Sequence, residues 1–332
     1  MIKYLFPPIS KLFKMIVQLR NKLYDMKILS IMGSKLPVIS IGNIQVGGTG
    51  KTPFVIALTQ QLINNHITPV IVTRGYHRNT TKQIILNHIN EFSAQEVGDE
   101  PYHIKQMLPT ITIIIDHNKK SAIKQANEME NINCIILDDG YQSRYIQRDV
   151  DIVLINMKQH AHFLTMMPAG WLREPFINLN RADFIYTTKS KYSSHQFLAN
   201  YRSKYLDASF RIIKYANGEK QKNATMNNIG SVIAFCGIAV PYHFFEILEN
   251  IKVDIHEKMV FKNHVHYNHQ QIQKLTAAYK KYLDASFITT YKDFVKLDKE
   301  FIQAYTIYVL KMKIIIEDDT LLKTIKQKIN EN

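Results

Sequence analysis

From Pro37 onward, short apolar runs alternate with longer stretches in which apolar residues recur at helical spacing. A short apolar run predicts a strand buried on both faces, and the helical spacing predicts an amphipathic helix. Strands and helices in this alternating order are typical of an α/β fold, a parallel sheet covered by helices. The predicted strands are Val38–Ile41, Val70–Thr73, Ile111–Ile115, Ile135–Leu137 and Ile152–Ile155, and the predicted helices are Thr52–Asn64 and Lys119–Glu130.

The alternation resumes near Ser231 and predicts a second, smaller α/β unit, with elements at Val232–Phe235, Pro241–Asn250, Asp254–Phe261, His269–Tyr282 and Phe287–Thr290. Two β-rich segments, Phe210–Tyr215 and Tyr305–Ile316, flank this unit, and we expect them to pair as a connection. A short basic helix is predicted for the tail from Asp319 to Asn332. The expected domains are an N-terminal helix (1–30), a larger α/β domain (31–215), a smaller α/β domain (216–304) and a returning strand with the C-terminal helix (305–332).

The segment from Ile9 to Met26 has the pattern of a basic amphipathic helix, with apolar residues on one side and lysines mostly elsewhere. Such a helix can lie in the headgroup region of a membrane, or it can pack on its own domain; the pattern leaves both open. The chain has no run of about 18 to 20 apolar residues, so we expect no membrane-spanning helix. Pro7, Pro8, Lys11 and Lys14 argue against a cleaved secretory signal.

Composition narrows the classes of partner. The chain has 42 Lys and Arg against 28 Asp and Glu, a formal charge of +14, which favours an anionic partner such as nucleic acid, anionic lipid or a phosphorylated small molecule. Its two cysteines, Cys134 and Cys236, lie in apolar runs without metal-type spacing, which indicates reduced thiols and a cytosolic environment.

The strongest local motif runs from Gly42 to Thr52, where an apolar strand leads through a glycine loop into a helix. This order is that of a P-loop, which binds the phosphates of a nucleotide such as ATP. Lys51 is expected to reach the β and γ phosphates, and the Thr52 hydroxyl is expected to hold Mg²⁺. Gln45 replaces the usual first glycine, so the loop is a variant. The expected phosphate-binding residues are Gly47, Gly48, Thr49, Gly50, Lys51 and Thr52.

A second motif is the apolar strand from Cys134 that ends in Asp138 and Asp139. Because parallel strands end at the ligand side of the sheet, both carboxylates are expected beside the P-loop as Mg²⁺ partners. The loop Thr73-Arg74-Gly75-Tyr76 suits phosphate or sugar contact. Two clusters that mix charges with turn residues, Gly98–Pro101 and Pro168–Pro175, are expected in loops. The histidine-rich stretch from Asn263 to His269 lacks a cysteine or carboxylate that would complete a zinc site.

Taken together and in order, these motifs resemble the tetraacyldisaccharide 4′-kinases of lipid A biosynthesis. The similarity rests on Gly42-Asn43 with Val46–Pro53, Thr73–Tyr76, Gly98–Pro101, Asp138–Gln142, Pro168–Pro175, Arg181-Ala182-Asp183, Cys236–Ala239 and Lys292-Asp293. The resemblance implies a P-loop NTPase-type domain that transfers the γ-phosphoryl group of ATP to the 4′-hydroxyl of a tetraacylated glucosamine disaccharide 1-phosphate. It also implies a peripheral or monotopic location on the cytoplasmic face of the cytoplasmic membrane, with no obligate protein partner.

The same resemblance implies that Asp99 is the catalytic base, that His264 assists it and that Lys51 acts on the phosphates. Two positions depart from the family pattern, Asn263 before the histidine and Tyr291 before Lys292-Asp293. The amphipathic helix and the positive charge suit an acylated, phosphorylated substrate. Candidate substrate contacts on these loops are Asn43, Arg74, Tyr76, Glu100, Gln142, Arg173 and Glu174; Arg78, Arg144 and Arg148 are further candidates for phosphate contact.

Three other classes are less well supported. A partitioning-type ATPase typically has a lysine where Val46 stands, and a GTPase needs an Asn-Lys-x-Asp motif, whereas the sequence after Asn118-Lys119 lacks the final acid. Nucleic-acid binding is suggested only by net charge, without a zinc finger, basic heptad region or aromatic RNA-binding signature. We therefore expect no nucleic-acid partner.

Overall fold

The structure, a computed structural model, describes residues 2–76, 78–88, 92–157, 165–188, 198, 201–221, 229–238, 240–262 and 265–331. The chain divides into two compact units. The first comprises Met1–Ala208 together with Ile314–Asn332, and the second comprises Ser209–Lys313. Each unit has its own sheet and its own apolar clusters.

The first unit is built on a largely parallel sheet. Its strands are β1 (Val38–Gly42), β2 (Pro69–Thr73), β3 (Ile84–Leu86), β4 (Thr112–Ile115), β5 (Cys134–Asp138), β6 (Val150–Asn156), β7 (Phe184–Thr188) and β8 (Ser203–Tyr205). Among the described residues, they lie in the order β3-β4-β2-β5-β1-β6-β7-β8. The pairs are parallel except for β3, which runs antiparallel to β4. The central strands β1, β2, β5 and β6 are buried along their whole length, as their apolar sequences predict.

The helices of the first unit that precede the second unit in the chain are α1 (Ile2–Asp25), α2 (Lys51–Asn64), α3 (Ala94–Val97), α4 (Asp99–Met107) and α5 (Lys119–Asn127), with a 3₁₀ helix at Phe176–Arg181. Helix α5 begins at Lys119 because the side chain of Asn118 accepts hydrogen bonds from the N–H groups of Lys120 and Ser121. In the part of the chain that the structure describes, no helix has the length and apolar character needed to span a bilayer.

The second unit has a smaller sheet with parallel strands at its centre. Its strands are β9 (Asp207–Ala216), β10 (Glu219–Lys220), β11 (Val232–Cys236), β12 (Ile255–Val260), β13 (Ser286–Thr290) and β14 (Ile307–Ile315), and its helices are α6 (Pro241–Asn250), α7 (His269–Lys281), α8 (Tyr291–Phe294) and α9 (Lys299–Ala304). Among the described residues, the sheet order is β10-β9-β14-β13-β11-β12. The chain then returns to the first unit and ends in α10 (Asp319–Asn330).

The predicted α/β class is confirmed, and the predicted strands and helices are present with ends shifted by a few residues. Strands β9 and β14, expected to pair as a connection, are neighbours within the second sheet. Helix α1 begins at Ile2 and includes Pro7 and Pro8, whereas the sequence placed its start after them. A proline has no N–H, so the helix carries two unmade backbone hydrogen bonds near its start.

Candidate active site

The glycine loop between β1 and α2 forms the first wall of the candidate site. Gly50 ends the loop with a φ of 89°, a left-handed conformation that suits glycine, and α2 begins at the next residue, Lys51. Among the described side chains, none caps this helix end. Because the first N–H groups of a helix have no partner within it, the end of α2 offers donors and partial positive charge to an anion. The loop from Gly47 to Thr52 therefore has the geometry of a phosphate site.

Asn43 and Gln142 support this loop from within. The Asn43 side chain is buried, and its Nδ2 donates to Thr49 Oγ1 at 2.9 Å. Gln142 Nε2 donates to the Asn43 carbonyl at 2.9 Å, and Thr188 Oγ1 donates to the Thr49 carbonyl at 3.0 Å. Both residues were predicted as substrate contacts, and their observed contacts favour a role in shaping the loop.

Gln45, the departure from the usual P-loop, has a structural partner. Its side chain is fully buried, its Oε1 accepts from Asn156 N at 2.9 Å and its Nε2 donates to Asn156 O at 3.4 Å. The amide thus bonds the end of β6 as a neighbouring peptide group would. On the other side, Val46 N donates to Trp171 O at 2.7 Å and Arg173 N donates to Ile44 O at 2.8 Å. The first part of the loop is therefore fixed between β6 and the segment around Arg173.

Asp138 ends β5 beside the glycine loop, since Ile41 of β1 pairs with it in the sheet. Its side chain is buried, and its Oδ2 accepts from Thr73 Oγ1 at 2.9 Å. Burial, together with the charges of Glu100 and Asp139, raises the pKa of Asp138 to about 6. The surroundings of Asp138 therefore disfavour its negative charge and would favour a bound cation.

Asp139 has the opposite environment. Its Oδ1 lies 3.2 Å from Lys51 Nζ, and its Oδ2 lies 3.1 Å from Arg173 Nη1. Burial acts to raise the pKa of Asp139, but Lys51 and Arg173 outweigh it and hold that pKa below its ordinary value. Asp139 is thus an ionised carboxylate that joins the P-loop lysine to the arginine of the Pro168–Pro175 loop.

Lys119 is a site residue that the sequence analysis missed. Its buried Nζ donates to the carbonyls of Asp138 at 2.8 Å and Asp139 at 2.7 Å. Burial lowers the pKa of Lys119 to about 8, against the opposing effect of the two aspartates. The sequence feature that could have identified Lys119 as a site residue was its position after strand β4, directly after the capping residue Asn118. Lys119 fixes the backbone from which both acids project.

The two loops that carry the other predicted residues lie against each other. Arg74 and Tyr76 are exposed after β2, while Asp99 and Glu100 begin α4 and are half-buried. A Cβ placed on Gly98 would lie 2.8 Å from the Tyr76 carbonyl oxygen, so only glycine fits this approach. Glu100 is close enough to add to the effect of burial on the pKa of Asp138. The start of α4 therefore borders the acid pair.

Glu174, predicted as a substrate contact, has a fully buried side chain. It accepts hydrogen bonds from Asn21 Nδ2 at 3.0 Å, Gln142 Nε2 at 3.1 Å, Asn178 Nδ2 at 2.7 Å and Arg181 Nη1 at 3.0 Å. Burial would raise the pKa of Glu174, but Arg181 and these hydrogen bonds hold it below its ordinary value. Such a carboxylate organises its neighbours and has no surface to offer a substrate.

Three arginines considered as phosphate contacts donate to protein groups instead. Arg78 donates to the carbonyls of Thr81, Lys82 and Ile115. Arg144 donates to Asn21 O and Asp25 Oδ1, and Arg148 donates to Asp151 Oδ2 and to carbonyls of its own loop. These contacts favour structural roles for all three. Arg74 and Arg173 are the predicted arginines that border the site.

Helix α1 presents two different faces. Val17 and Asn21 are buried against the rest of the first unit, whereas a set of large apolar residues is exposed, namely Ile9, Leu12, Met15, Ile16 and Leu19. A cavity of about 600 Å³ lies between α1 and the segment from Thr165 to Ile177, with Pro7, Lys14, Met166 and Phe176 among its lining residues. Ser10 Oγ accepts a hydrogen bond from Ala169 N at 2.9 Å and holds this segment against the helix.

The prediction for His264 and the prediction of a metal site can be compared with the described residues. Asn263 and His264 lie outside the described residues, so the structure does not place them. Within the described ranges, no group of three or more His, Cys, Asp or Glu side chains could hold a metal ion by itself. A metal at the acid pair would therefore need ligands from a hydroxyl group, water or a bound phosphate as well.

Comparisons with known proteins agree with the motifs. The family model described as tetraacyldisaccharide-1-P 4′-kinase (LpxK) matches residues 2–330. A tetraacyldisaccharide 4′-kinase of Aquifex aeolicus is 30% identical over 325 residues, which cover 97% of each chain. One of Desulfotalea psychrophila is 31% identical over 331 residues, covering 96% of this chain and 95% of the relative.

The fold agrees as well. A crystal structure of LpxK from Aquifex aeolicus, an "apo" form in complex with ATP, matches 99% of both chains with a TM-score of 0.81 and 29% identity. Because the family model and these relatives match the chain from end to end, the chain belongs to the tetraacyldisaccharide-1-phosphate 4′-kinase family.

Proposed function

We propose that the loops around Asp139 carry out the family's reaction, transfer of the γ-phosphoryl group of ATP to the 4′-hydroxyl of a tetraacylated glucosamine disaccharide 1-phosphate. The observation that carries this assignment is the cluster of Lys51, Asp139 and Arg173 at the N-terminal end of α2, which no described side chain caps. It brings two cations and a helix N-terminus to one phosphate-binding loop, and phosphoryl transfer depends mainly on such positioning and charge stabilisation.

In this proposal the backbone of Gly47–Gly50 binds the ATP phosphates. Lys51 and Arg173 both contact Asp139, and from there they also reach the β and γ phosphates of bound ATP. Asp139 thereby keeps both cations at the mouth of the loop. The 4′-hydroxyl oxygen forms a bond to the γ phosphorus as the bond to the bridging oxygen breaks, and ADP leaves.

The acid pair suits Mg²⁺. Asp138 is a buried carboxylate whose pKa is raised first by burial, and a hard cation with oxygen ligands would relieve that cost. Asp139 directs its oxygens to Lys51 and Arg173, so we assign the protein contacts of the ion to Asp138 and the Thr52 hydroxyl. Bound there, Mg²⁺ would supply neutralisation of charge on the β and γ phosphates.

For the proton, we assign the base to Asp99 at the start of α4, with assistance from His264. The proton of the 4′-hydroxyl passes to the Asp99 carboxylate as the oxygen attacks. Asp99 borders the acid pair through its neighbour Glu100. The role of His264 rests on the family resemblance alone.

The acceptor lipid lies in a membrane, and α1 offers the contact. The exposed apolar residues of α1, with Lys11 and Lys14 beside them, suit a monotopic position on the cytoplasmic face of the cytoplasmic membrane. The cavity between α1 and the Thr165–Ile177 segment is lined on the helix by Ser10, Lys14 and Gln18, and it is of a size that could accept part of an acyl chain.

The test is transfer of label from γ-labelled ATP to a tetraacyldisaccharide 1-phosphate in detergent micelles with Mg²⁺. Labelled lipid that is lost with Lys51→Ala would establish the proposal. ATP hydrolysis without labelled lipid would contradict it and would favour a membrane-associated ATPase switch.

A further inference from the structure

The inner face of α1 packs on the loops of the candidate site. Val17 and Phe13 of α1 belong to the same apolar cluster as Ile44, Tyr141 and Leu172. Ile44 lies in the glycine loop, Tyr141 follows the acid pair, and Leu172 precedes Arg173. One helix therefore supports three separate loops that meet at the site.

A polar contact extends this support to a single residue. Asn21 is only 4% exposed, and its Nδ2 donates to Glu174 Oε2 at 3.0 Å. Arg144 Nη1 fixes the backbone of the same residue by donating to Asn21 O at 2.8 Å. Glu174 follows Arg173 in the chain, and its other oxygen accepts from Gln142, which also holds the glycine loop. Two buried side chains, Asn21 and Glu174, therefore connect α1 to the residue next to Arg173, which pairs with Asp139.

We propose that Asn21 is a positioning residue for phosphoryl transfer, which holds Glu174 and thereby keeps Arg173 against Asp139. This inference rests on the proposed function and adds to it: α1 is part of the catalytic unit, in addition to being a membrane contact. Loss of the Asn21 amide leaves a buried carboxylate with one donor fewer. The segment at Arg173 and Glu174 then relaxes, and the guanidinium moves away from the position that a phosphate requires.

The first experiment compares Asn21→Leu with Asn127→Leu. Asn127 ends α5 and accepts three hydrogen bonds from residues 34–36, so its loss removes structural bonds away from the site. With both substrates saturating in detergent micelles, Asn21→Leu should lower kcat by roughly tenfold, as expected for a small misplacement of a charged group. The kcat of Asn127→Leu should stay within about twofold of the wild-type value, even if its Tm falls by as much as that of Asn21→Leu, because this substitution affects stability alone.

Vesicle sedimentation separates positioning from membrane recruitment. Since Asn21 faces inward, Asn21→Leu should sediment with anionic vesicles as the wild type does. If Asn21→Leu kept wild-type kcat, or if Asn127→Leu lost kcat equally, the positioning role would be refuted. A wild-type enzyme that labels no lipid would instead refute the proposed function.

The second experiment is a double-mutant cycle with Arg173→Ala. If Asn21 acts through Arg173, Asn21→Leu should change kcat by less than about twofold in the Arg173→Ala background. Effects that multiply would overturn the inference, because they would show that Asn21 acts independently of Arg173. Should Arg173→Ala fall below detection, the same cycle is run with Arg173→Lys, whose shorter reach to Asp139 should also reduce the effect of Asn21→Leu.

Discussion

Asp138 is a buried carboxylate whose charge its surroundings oppose. Burial, with Glu100 and Asp139, raises its pKa from 3.8 to about 6 in the folded protein. The folded state therefore binds this proton more tightly than the unfolded state, so the free energy of unfolding falls as pH rises from about 4 to about 6 and stays lower above that range.

Asp138→Asn should thus raise the unfolding free energy of the metal-free protein at pH 7, by up to about 3 kcal/mol, and abolish phosphoryl transfer. Its stability should also depend less on pH between 4 and 6. Urea unfolding in the presence of EDTA at several pH values measures this.

Asp318→Asn is the matched control. Asp318 is buried, caps α10 and accepts from Tyr186 and Lys204; burial would raise its pKa, but these partners hold it below the ordinary value. Its stabilising effect is present at neutral pH and is lost as pH falls through the lowered pKa, so Asp318→Asn should lower stability at pH 7. A destabilised Asp138→Asn would show that the buried charge does not carry the expected cost.

Lys119 leads to a second prediction at this scale. Lys119→Met keeps the length of the side chain but removes both hydrogen bonds to the carbonyls of the acid pair. We expect kcat to fall by about tenfold or more, because the acids lose the fixed backbone that orients them. The neighbour Lys120, whose ammonium lies over the Tyr145 ring, provides the control. Steady-state kinetics with Lys120→Met should stay within about twofold of wild type; equal losses would contradict the assignment.

Part of the site could be predicted from residue types in local order. Lys51 belongs to the motif that follows β1, and Asp138 ends β5 within a second motif, so it was predictable that both lie at the same edge of the sheet. The pairing of Arg173 with Asp139 was not, because it joins loops that are 34 residues apart. The burial of Glu174 was also hidden, since a charged residue in a turn-rich loop ordinarily faces water.

At the scale of elements, the sequence predicted strands correctly where burial on both faces requires a run of apolar residues. The central strands are mostly apolar and were all identified. The missed strands β3, β7 and β8 lie toward the edges of the sheet, and β8 is exposed along its length. Helix α4 was missed because Gly98 and Pro101 suggested a turn, whereas Pro101 lies in the first turn of the helix, where no hydrogen bond from its nitrogen is needed.

Helix α1 is the element whose two faces can be separated by mutation. Changing Leu12, Ile16 and Leu19 together to Ser removes apolar area from the exposed face and leaves Val17 and Asn21 in place. Partitioning to anionic vesicles, measured by sedimentation, should fall by at least about tenfold. Kinetics in detergent micelles should change far less, because the inner contacts remain.

The control for this helix uses exposed aliphatic residues of the second unit. Val260→Ser with Leu283→Ser removes similar apolar groups, which are exposed to a comparable extent. Sedimentation of this double variant should match wild type. Unchanged sedimentation of the α1 variant would show that another surface binds the membrane.

At the scale of the whole molecule, the second unit is an insertion with its own core. It is one continuous segment, Ser209–Lys313, and its ends lie close together, since Ser209 Oγ donates to Lys313 O at 3.4 Å. Its interior includes the buried rings of Phe235 and Phe287, whose centroids lie 5.8 Å apart. The buried carboxylate of Asp293 accepts from Gly237 N and Tyr267 OH and so joins the loops that follow β11 and precede α7.

We therefore expect residues 209–313 to fold when expressed alone. Circular dichroism should show one cooperative thermal transition, as for other domains of this size. Phe287→Ala in the same fragment should abolish the transition, because it removes about 3 to 5 kcal/mol from a small core. A fragment without a transition would show that the second unit depends on the rest of the chain.

The family resemblance, confirmed by the family model, could be predicted because its motifs keep their order from Gly42 to Asp293. The boundaries of the second unit were harder to place. The predicted limits at residues 216 and 304 leave nearly all of β9 and all of β14 outside the smaller domain, whereas the unit Ser209–Lys313 contains most of both strands.

The two faces of α1 determine how far the catalytic loops lie from the surface on which the helix rests. The helix touches the catalytic loops on one side and exposes its apolar residues on the other, so only its own thickness, about 10 Å, separates those loops from whatever surface it rests on. With the exposed face on lipid, the loops that α1 supports would lie about one helix diameter above the bilayer surface. The acyl chains could then remain in the hydrocarbon layer throughout the reaction, and the enzyme would need no cavity large enough to enclose them.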